Sequence, residues 1–539
     1  MERGQCACCQ RGIKTGDARI DGILSPFAWN DATLYYSVPQ TVGEYTNFYG
    51  SGEQGGFYPV TNAMGSVADF SLAQYGTADD GFSIEGFTNL DVQYTSFSNA
   101  QVRLAQTSSD PFNLGTAWGY YPNTTQTAGD IWFSDIANDF TAPQAGNYAY
   151  TTIMHEIGHA MGLEHAQEAG THGIVPAAYD VMEYTIMSYR SYVGHNLQTL
   201  PGYQNETWGY AQTYMMLDIA ALQHMYGADF TTNSSDTTYS WAPNSGDTII
   251  NGVAAITPGG NRIFATIWDG GGVDTYDLSA YTTDLMIDLA PGGFSLFSST
   301  QQAGLGGTNR AQGNIYNALQ YGSDTRSLIE NATGGSGDDT ISGNNAANKL
   351  RGGASDDHLY GLKGKDMLLG GNGRDWMNGG NDADILKGGN GKDWLYGGNK
   401  GDTLRGDKGG DKLSGQNGND LLLGGDGNDL LIGGAGKDTL RGNSGADTFR
   451  FHTAADSKTG SASDVIMGFK KGVDKIDLSP ITATPFTFGG SLTGTGPSVT
   501  TKKANGDTRV LVDVNGDGVT DMRIIVDGVQ GLTAGDFIL

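Results

Sequence analysis

The chain has 539 residues, too many for one hydrophobic core, so several domains are expected. It carries 59 acidic and 31 basic residues, a formal net charge of −28, and this surplus excludes a nucleic-acid partner, because phosphates require a basic surface. No apolar run reaches the roughly 20 residues of a membrane span. The abundant carboxylates instead suit calcium, which prefers oxygen ligands.

The first 19 residues contain every cysteine of the chain, Cys6, Cys8 and Cys9. Because no cysteine follows, a disulfide framework is excluded. The segment also lacks the apolar stretch of a Sec signal peptide, so the protein either stays in the cell or leaves by another route.

Residues 20–229 mix two kinds of hydrophobic pattern. Strand-like runs, ATLYYSV and GDIWFSD, alternate with helix-like runs, YAYTTIMHEIGHAMG and QTYMMLDIAALQHMYG. This mixture predicts an α+β domain.

The first helical run leads into HEIGHAMGLEH at residues 155–165, the pattern H-E-x-x-H-x-x-G-x-x-H. His155 and His159 project from one face of a helix. Gly162 then lets the chain turn, so that His165 becomes a third ligand. Three nitrogens predict one catalytic Zn²⁺ with a position open to water, and Glu156 is the candidate general base. Surface or packing roles are expected for the other histidines, His172, His195, His224, His358 and His452.

Residues 334–450 are thirteen consecutive nine-residue units, from GGSGDDTIS to GNSGADTFR. Every unit opens with glycine, twelve have Asp at the sixth place, and the eighth place is always apolar. This is the RTX nonapeptide, in which two units form one coil of a parallel β-roll. Glycine permits the tight turns, and the sixth-place Asp and backbone carbonyls face calcium. The strict phase argues against a disordered, glycine-rich linker.

The predicted calcium positions of the roll follow directly from this phase. They are Gly335, Gly337, Asp339, Gly353, Ser355, Asp357, Asp366, Gly371, Gly373, Asp375, Asp384, Gly389, Gly391, Asp393, Asp402, Asp411, Asp420, Gly425, Gly427, Asp429, Asp438 and Asp447. Turns that depart from the motif are expected to bind calcium weakly or not at all; they contain Ala346, Asn348, Asp382 and Lys400. Without metal the stacked aspartates repel one another, so folding is expected to require calcium and to follow export.

Two further segments flank the repeat. Residues 230–333 lose helical periodicity and are predicted to form a β-rich connecting region. Residues 451–539 are predicted to form a short β tail. Within the tail, Asp513–Asp521 reads DVNGDGVTD and resembles an EF-hand loop. Ile524 stands where that loop requires Glu, so a simple turn is an equal alternative.

The zinc motif, the segments YTIMSYRSYVG, LDIAALQHMYGAD, IWDGGGVDTYDLS and LIENATGGSGDD, and the nonapeptides together resemble serralysin-type metzincins over nearly the whole chain after Ile20. The implied fold is an α+β metzincin catalytic domain followed by an all-β parallel β-roll (RTX) and a β-sandwich C-terminal domain. The implied division is 1–19 propeptide-like, 20–229 catalytic, 230–333 connecting with calcium sites, 334–450 roll and 451–539 cap. Ala166 departs from the family, where Pro is common.

The resemblance also implies roles for residues outside these motifs. Met187 would form an apolar floor under the histidines, and Tyr189 would ligate zinc and stabilise the oxyanion. One calcium site is implied at Asp269, Gly271 and Asp274 with Asn233, Ser235 and Thr237. A second is implied at Gly272, Asp274, the Leu328 carbonyl and Glu330. A substrate would lie along an edge strand at Gly129–Asp135, which would give broad specificity.

The function implied by the resemblance is a secreted zinc-dependent endopeptidase with several structural Ca²⁺. The repeat and the ending TAGDFIL imply type I secretion from a Gram-negative bacterium. The expected partners are protein or peptide substrates, the type I transporter and a proteinaceous inhibitor, and a monomer is expected. The alternatives are a non-enzymatic RTX adhesin or surface-layer protein, against which the zinc motif counts, and an RTX toxin or lipase, for which no GxSxG elbow is present.

The cysteines lie where serralysins carry a short propeptide. A thiolate of Cys6, Cys8 or Cys9 that filled the open zinc position would keep the precursor silent. The alternative is an exposed tail whose thiols do nothing or crosslink chains after export. Both interpretations stay open.

Overall fold

The structure, a computed structural model, describes residues 10–11, 14–45, 52–74, 81–96, 100–109, 111–112, 115–123, 125–136 and 138–539. The three cysteines lie outside the described residues. The chain divides into two units, Met1–Tyr276 with Ala290–Ile329, and Asp277–Leu289 with Glu330–Leu539. Within the described residues, no helix has the length and apolar character needed to cross a membrane.

A mixed sheet organises the N-terminal part of the first unit. Its strands lie in the order Asp91–Tyr94, Thr33–Ser37, Val102–Thr107, Asp130–Ser134 and Ala117–Gly119, with Phe57–Tyr58 also paired to Val102–Thr107. The first four are parallel, and Ala117–Gly119 is an antiparallel edge strand. A two-stranded sheet joins Gln10–Arg11 to Phe27–Ala28.

The run GDIWFSD forms the strand Asp130–Ser134, but the expectation that it is an edge strand is wrong. It pairs with Val102–Thr107 on one side and Ala117–Gly119 on the other. All five of its residues are buried, as is typical of a strand with neighbours on both sides and packed faces.

Among the described residues of this unit there are five α-helices: Ala18–Asp21, Asn62–Leu72, Ile84–Phe87, Tyr148–Met161 and Met216–Tyr226. The helix Tyr148–Met161 begins after Asn147, whose side chain accepts a hydrogen bond from the Tyr150 N–H. It ends at Gly162, where φ is +104° and a Cβ would lie 2.7 Å from the Phe27 carbonyl oxygen. Only glycine suits that crowded, left-handed turn.

The region 230–333 is rich in β-structure, as its composition predicts. Its strands are Thr238–Ala242, Ser245–Ile250, Val253–Ile256, Ala265–Ile267, Thr275–Asp277, Met286–Asp288, Phe294–Ser295, Gly304–Gly306, Asn309–Arg310, Ile315–Asn317 and Asn331–Thr333.

The repeat forms two parallel sheets in the second unit. The first sheet contains Lys349–Ala354, Met367–Asn372, Ile385–Asn390, Thr403–Lys408, Leu421–Asp426 and Thr439–Ser444. The second sheet contains Thr340–Ser342, His358–Lys363, Trp376–Asn381, Trp394–Asn399, Lys412–Gly418, Leu430–Gly436 and Thr448–Arg450. Each strand pairs with the one 18 residues later, as Leu350 does with Leu368, which confirms two nonapeptides per coil. The eighth-place side chains of both sheets are completely buried.

The tail adds strands to both sheets. Its strands are Asp464–Met467, Lys475–Asp477, Thr487–Phe488, Ser498–Ala504, Asp507–Asp513, Met522–Val526 and Phe537–Ile538. Asp464–Met467 pairs with Thr439–Ser444 in the first sheet, and Lys475–Asp477 with Thr448–Arg450 in the second. A β-sandwich is predicted for this tail. Its strands extend both sheets of the roll, and Ser498–Ala504, Asp507–Asp513 and Met522–Val526 pair antiparallel with one another at the end of the first sheet.

Candidate metal centres

Three histidine rings meet at one point in the first unit. His155 and His159 lie on the helix Tyr148–Met161, and the turn at Gly162 returns the chain so that His165 faces them. The Nε2 atom of His165 is 3.2 Å from that of His155 and 2.9 Å from that of His159. Among the described residues, these three form the one group of His, Cys, Asp or Glu side chains whose ligand atoms all lie within 4.8 Å of one another.

The remaining ring nitrogens fix the orientation of these imidazoles. Nδ1 lies 2.8 Å from the Ile186 carbonyl in His155 and 2.7 Å from the Leu163 carbonyl in His159. Each Nδ1 therefore carries the proton and donates it, which leaves the Nε2 lone pair for a cation. Burial lowers the pKa of His155 to about 3 and that of His159 well below its ordinary value. Neutral imidazoles in this arrangement fit zinc.

Glu156 lies beside this cluster and is buried. Burial raises the pKa of its carboxyl to about 8, while a hydrogen bond from the Gly119 N–H acts in the opposite direction. The contact is close, since a Cβ on Gly119 would lie 2.6 Å from the Glu156 carbonyl oxygen. The edge strand Ala117–Gly119 therefore runs next to the candidate general base.

Met187 and Tyr189 both lie at the cluster. Met187 is completely buried. Its sulfur packs closely against Gly158 of the helix, since a Cβ on Gly158 would lie 2.9 Å from the Met187 sulfur. The Tyr189 hydroxyl is 2.8 Å from His165 Nε2, and the two rings are 4.6 Å apart. The structure thus brings both residues to the histidines.

Asp218 supports this site and was missed from the sequence. Its buried carboxylate accepts hydrogen bonds from the Thr185 hydroxyl and the Ile186 N–H, at 2.5 and 2.9 Å, and from the Met215 N–H at 2.9 Å. Ile186 is the residue whose carbonyl orients His155. The LDIAALQHMYGAD segment contains the only sequence signal, an Asp in the first turn of a helix.

The residues of the first implied calcium site lie together in the first unit. The Asp269 carboxylate accepts hydrogen bonds from the Gly271 N–H at 2.8 Å and the Tyr239 hydroxyl at 2.8 Å. The Asp274 carboxylate accepts one from the Thr237 N–H at 2.8 Å, and the Thr237 hydroxyl donates to the Ser235 carbonyl. Asn233 donates to the Tyr239 hydroxyl. Oxygen atoms of this kind are what calcium prefers.

Two residues implied for the second calcium site, Gly272 and Asp274, lie in the same loop of the first unit. A Cβ on Gly272 would lie 2.6 Å from the Ser235 carbonyl oxygen and 2.9 Å from Asp274 Oδ1. Leu328 ends a short 3₁₀ turn in the first unit. In the second unit, the Glu330 carbonyl accepts a hydrogen bond from the Asn348 side chain at 2.9 Å.

The sixth-place aspartates form a ladder along the roll. From Asp357 to Asp447, Oδ1 of each accepts a hydrogen bond from the backbone N–H 18 residues earlier, as Asp375 Oδ1 does from Asp357 at 3.0 Å, whereas Asp339 Oδ1 accepts one from the Leu285 N–H. Oδ2 is buried without a hydrogen-bond partner in eleven of the twelve, from Asp357 to Asp447. Burial raises the pKa of these carboxyls, to about 8 for Asp357. A row of buried, unpaired carboxylate oxygens beside glycine-rich turns fits calcium.

The turns between strands explain the glycines. At Gly371 φ is +123°, and a Cβ would lie 2.1 Å from the Gly353 carbonyl oxygen. Non-glycine residues accept the left-handed conformation at Ser355, Asp382 and Lys400. At the exceptional sixth place, Asn348 uses both its oxygen and its nitrogen in hydrogen bonds.

Two residues of the tail continue the ladder, and the nonapeptide pattern did not predict them. Asp464 Oδ1 accepts a hydrogen bond from the Asp438 N–H, and Asp474 Oδ1 from the Asp447 N–H. Asp464 Oδ2 is buried and unpaired. In the EF-hand-like segment, by contrast, the Asp513 carboxylate accepts hydrogen bonds from the N–H groups of Gly516 and Gly518, as in a closed turn.

Fold and site together define a protein with a three-histidine cluster that could hold a metal ion and with a parallel β-roll. Residues 228–539, more than half of the chain, match the model described as Peptidase M10 serralysin C terminal. The chain therefore belongs to the serralysin C-terminal family, which confirms the resemblance found in the sequence.

Individual relatives are similar over part of the chain. A serralysin of Proteus mirabilis is 35% identical over 45% of this chain and 46% of its own length. The metallopeptidase AprA of Pseudomonas marginalis is 34% identical over 44% of this chain and 46% of its own. The chain thus spans about half the length of these curated relatives. A subunit of the mannuronan C5-epimerase of Azotobacter vinelandii, solved in solution, is 31% identical, covers 26% of this chain and 78% of its own, and gives a TM-score of 0.22.

Proposed function

We propose that the protein is a secreted, zinc-dependent endopeptidase of broad specificity, with a metzincin catalytic domain at residues 20–229. The observation that carries the proposal is the convergence of three neutral imidazoles on one point beside the buried carboxyl of Glu156. The names of the relatives, serralysin and metallopeptidase, support the same activity.

The proposed mechanism divides the chemistry among few groups. His155, His159 and His165 would hold the zinc ion, which would supply Lewis acidity when bound. The positive charge of a bound metal ion would favour the carboxylate form of Glu156 over the protonated form that burial favours. As a carboxylate, Glu156 would accept a proton from the attacking water and pass it to the leaving amine. The Tyr189 hydroxyl, which lies on the ligand side of His165, donates a hydrogen bond to the oxyanion.

We assign the substrate to the edge strand Ala117–Gly119 in place of Gly129–Asp135. An edge strand offers unpaired backbone groups to an extended peptide. This one is antiparallel to its neighbour Asp130–Ser134 and lies against Glu156. Hydrogen bonds to the backbone of the peptide depend little on its side chains, which accounts for broad specificity.

Calcium has a structural role in the proposal. The loops around Asp269 and Asp274 and the turns of the roll would hold several Ca²⁺, and Asn348, whose amide is already hydrogen-bonded, would hold it weakly. Folding coupled to calcium would keep the roll unfolded inside the cell and suit type I export. The transporter, a proteinaceous inhibitor, a monomeric state and the division at residues 230, 334 and 451 belong to the same proposal.

Replacing Glu156 with Gln tests the activity. The variant should lose peptidase activity by about 10²–10⁴-fold, because a general base is removed. Zinc content measured by atomic absorption should stay near one per chain, because Glu156 is not a ligand. Asp139→Asn, at an exposed carboxylate, is the control and should match the parent. Activity of Glu156→Gln within a few-fold of the parent would reject the assignment.

A further inference from the structure

The outer face of the second sheet carries a group of aromatic side chains. In a strand, successive side chains point to opposite sides of the sheet. The eighth-place residues of the roll point inward and are completely buried, so the seventh- and ninth-place residues point outward. All tryptophans and tyrosines of residues 334–450 occupy such outward positions, on three consecutive strands of one sheet: Tyr360, Trp376, Trp394 and Tyr396.

These rings are in contact with one another. The Trp376 ring centroid is 5.0 Å from that of Tyr360 and 5.5 Å from that of Tyr396. The His358 ring stacks on Trp376 at 6.1 Å. Trp394 is the register partner of Trp376 and is 42% exposed. We call these five residues the aromatic face.

The aromatic face is not needed to fill the core. The inward ladder of Leu, Ile, Met and Phe side chains already does so. The equivalent outward positions of the first sheet hold Leu, Ile, Met, Thr, Lys and Arg, without an aromatic residue. His358 and Trp394 are exposed, and Tyr360, Trp376 and Tyr396 are half-buried. Neighbouring aromatic side chains at the surface mark a binding surface.

The charge of the aromatic face differs from that of the chain as a whole. Although the net charge is −28, the outward seventh and ninth places of the second sheet, from Thr340 to Arg450, hold no Asp or Glu. Lys412 lies on the strand that follows the aromatic face in the second sheet. Its Nζ is 5.5 Å from the centroid of the Tyr396 ring and 3.4 Å from the Tyr396 hydroxyl. His358 lies on the first of the three strands that form the aromatic face, beside Trp376.

We propose that the aromatic face binds an extended acidic polysaccharide. Sugar rings present C–H faces that stack on aromatic rings. The carboxylates of an acidic sugar complement the Lys412 ammonium and can accept a hydrogen bond from a His358 ring N–H. The row His358, Trp376, Trp394 and Lys412 spans three strand spacings, about 14 Å, which is long enough for several successive sugar units. Binding would hold the protein on a glycan-rich surface, whether or not it cleaves peptides.

Affinity electrophoresis of the full chain tests the proposal, at fixed free calcium so that the roll stays folded. The gels contain hyaluronan as the acidic probe, hydroxyethylcellulose as the neutral probe, or neither. The parent should be retarded by hyaluronan more than by the neutral polymer. The double variant Trp376→Ala with Trp394→Ala should bind hyaluronan about tenfold or more weakly, because two stacking surfaces are lost. Lys412→Gln should weaken hyaluronan binding and leave any binding to the neutral polymer unchanged.

The matched control is Ile385→Ala with Leu421→Ala, at the same repeat position on the first sheet and at similar exposure. It should be retarded like the parent. The proposal fails if hyaluronan does not retard the parent, if the control weakens binding as much as the double tryptophan variant, or if the neutral polymer is preferred. It also fails if sedimentation shows that the tryptophan variant merely separates a dimer, since the aromatic face would then be covered by a second copy.

Discussion

Aromatic rings surround the Tyr189 side chain, whose hydroxyl lies 2.8 Å from His165 Nε2. Its ring lies 6.0 Å from that of Tyr203, edge to face, and 5.6 Å from that of His155. Burial raises the pKa of the Tyr189 hydroxyl, so at neutral pH it keeps its proton and acts as a donor.

Replacing Tyr189 with Phe should therefore lower kcat on the order of 10²-fold, because one oxyanion donor is lost. KM and zinc content should stay near those of the parent, since packing is preserved and three histidines remain. Steady-state kinetics on a fluorogenic peptide measure both constants. An unchanged kcat, or a loss confined to KM, would contradict the role given to the hydroxyl.

At the scale of single residues, site residues could be predicted from the sequence only where they lie close together along the chain. His155, Glu156, His159 and His165 follow a short pattern whose geometry is set by one helix and one turn, and the structure brings them together as expected. Asp218 acts from a distant helix through hydrogen bonds to Thr185 and Ile186. No pattern in one sequence links it to His155.

At the scale of elements, the helix Met216–Tyr226 carries Asp218, whose carboxylate accepts hydrogen bonds from Thr185 and Ile186 next to the three-histidine cluster. Asp218→Asn should weaken zinc binding by about tenfold or more, because such outer hydrogen bonds orient ligands. A competition titration with a chelating dye measures the zinc affinity. A purely structural role for Asp218 would lower the Tm of the metal-free protein and leave zinc affinity unchanged, which would contradict the prediction.

The edge strand shows where element-level prediction failed. Hydrophobic pattern identifies GDIWFSD as a strand but says nothing of its neighbours, which are set by tertiary pairing. The true edge, Ala117–Gly119, is only three residues long, too short to give a clear alternating pattern. The helix Tyr148–Met161, by contrast, was predicted to within a residue by the helix-like run YAYTTIMHEIGHAMG, because that run is long and ends at the turn glycine Gly162.

At the scale of the whole molecule, the roll links calcium, pH and folding. Burial raises the pKa of Asp357 to about 8, of Asp393 to about 7 and of Asp375 to about 6. A carboxyl with a higher pKa in the folded state favours folding at low pH, and this contribution is lost as pH rises from about 4 through the folded-state value. Without metal, the roll should therefore be more ordered at pH 5 than at pH 8.

Hydrogen exchange of the full chain, measured by mass spectrometry, checks whether the order of the roll depends on calcium and pH in this way. In chelator at pH 8, residues 334–450 should exchange rapidly, and calcium should protect them. Because the unfolded aspartates are ionised throughout this range and protons stabilise the metal-free roll, the calcium concentration for half protection should fall as pH falls from 8 to 6. The strand Val102–Thr107 is the internal control. Equal protection of the roll in chelator and in calcium at pH 8 would contradict the coupling.

The repeat was the part of the fold most fully predictable, since an unbroken period of nine fixes strand, turn and inward side chain together. The tail was not, because Asp464 and Asp474 follow the last unit at irregular spacing and reach the ladder only through the sheets that they extend.

The 18-residue register has a consequence for how such a domain changes length. Losing or gaining 18 residues removes or adds one coil and leaves every later side chain on its own sheet. Losing nine would transfer each later strand to the opposite sheet, so that Asp464–Met467 would have to pair where Lys475–Asp477 now does. Insertions and deletions in related rolls should therefore survive in even numbers of units, and the aromatic face would move between sheets whenever that rule was broken upstream of it.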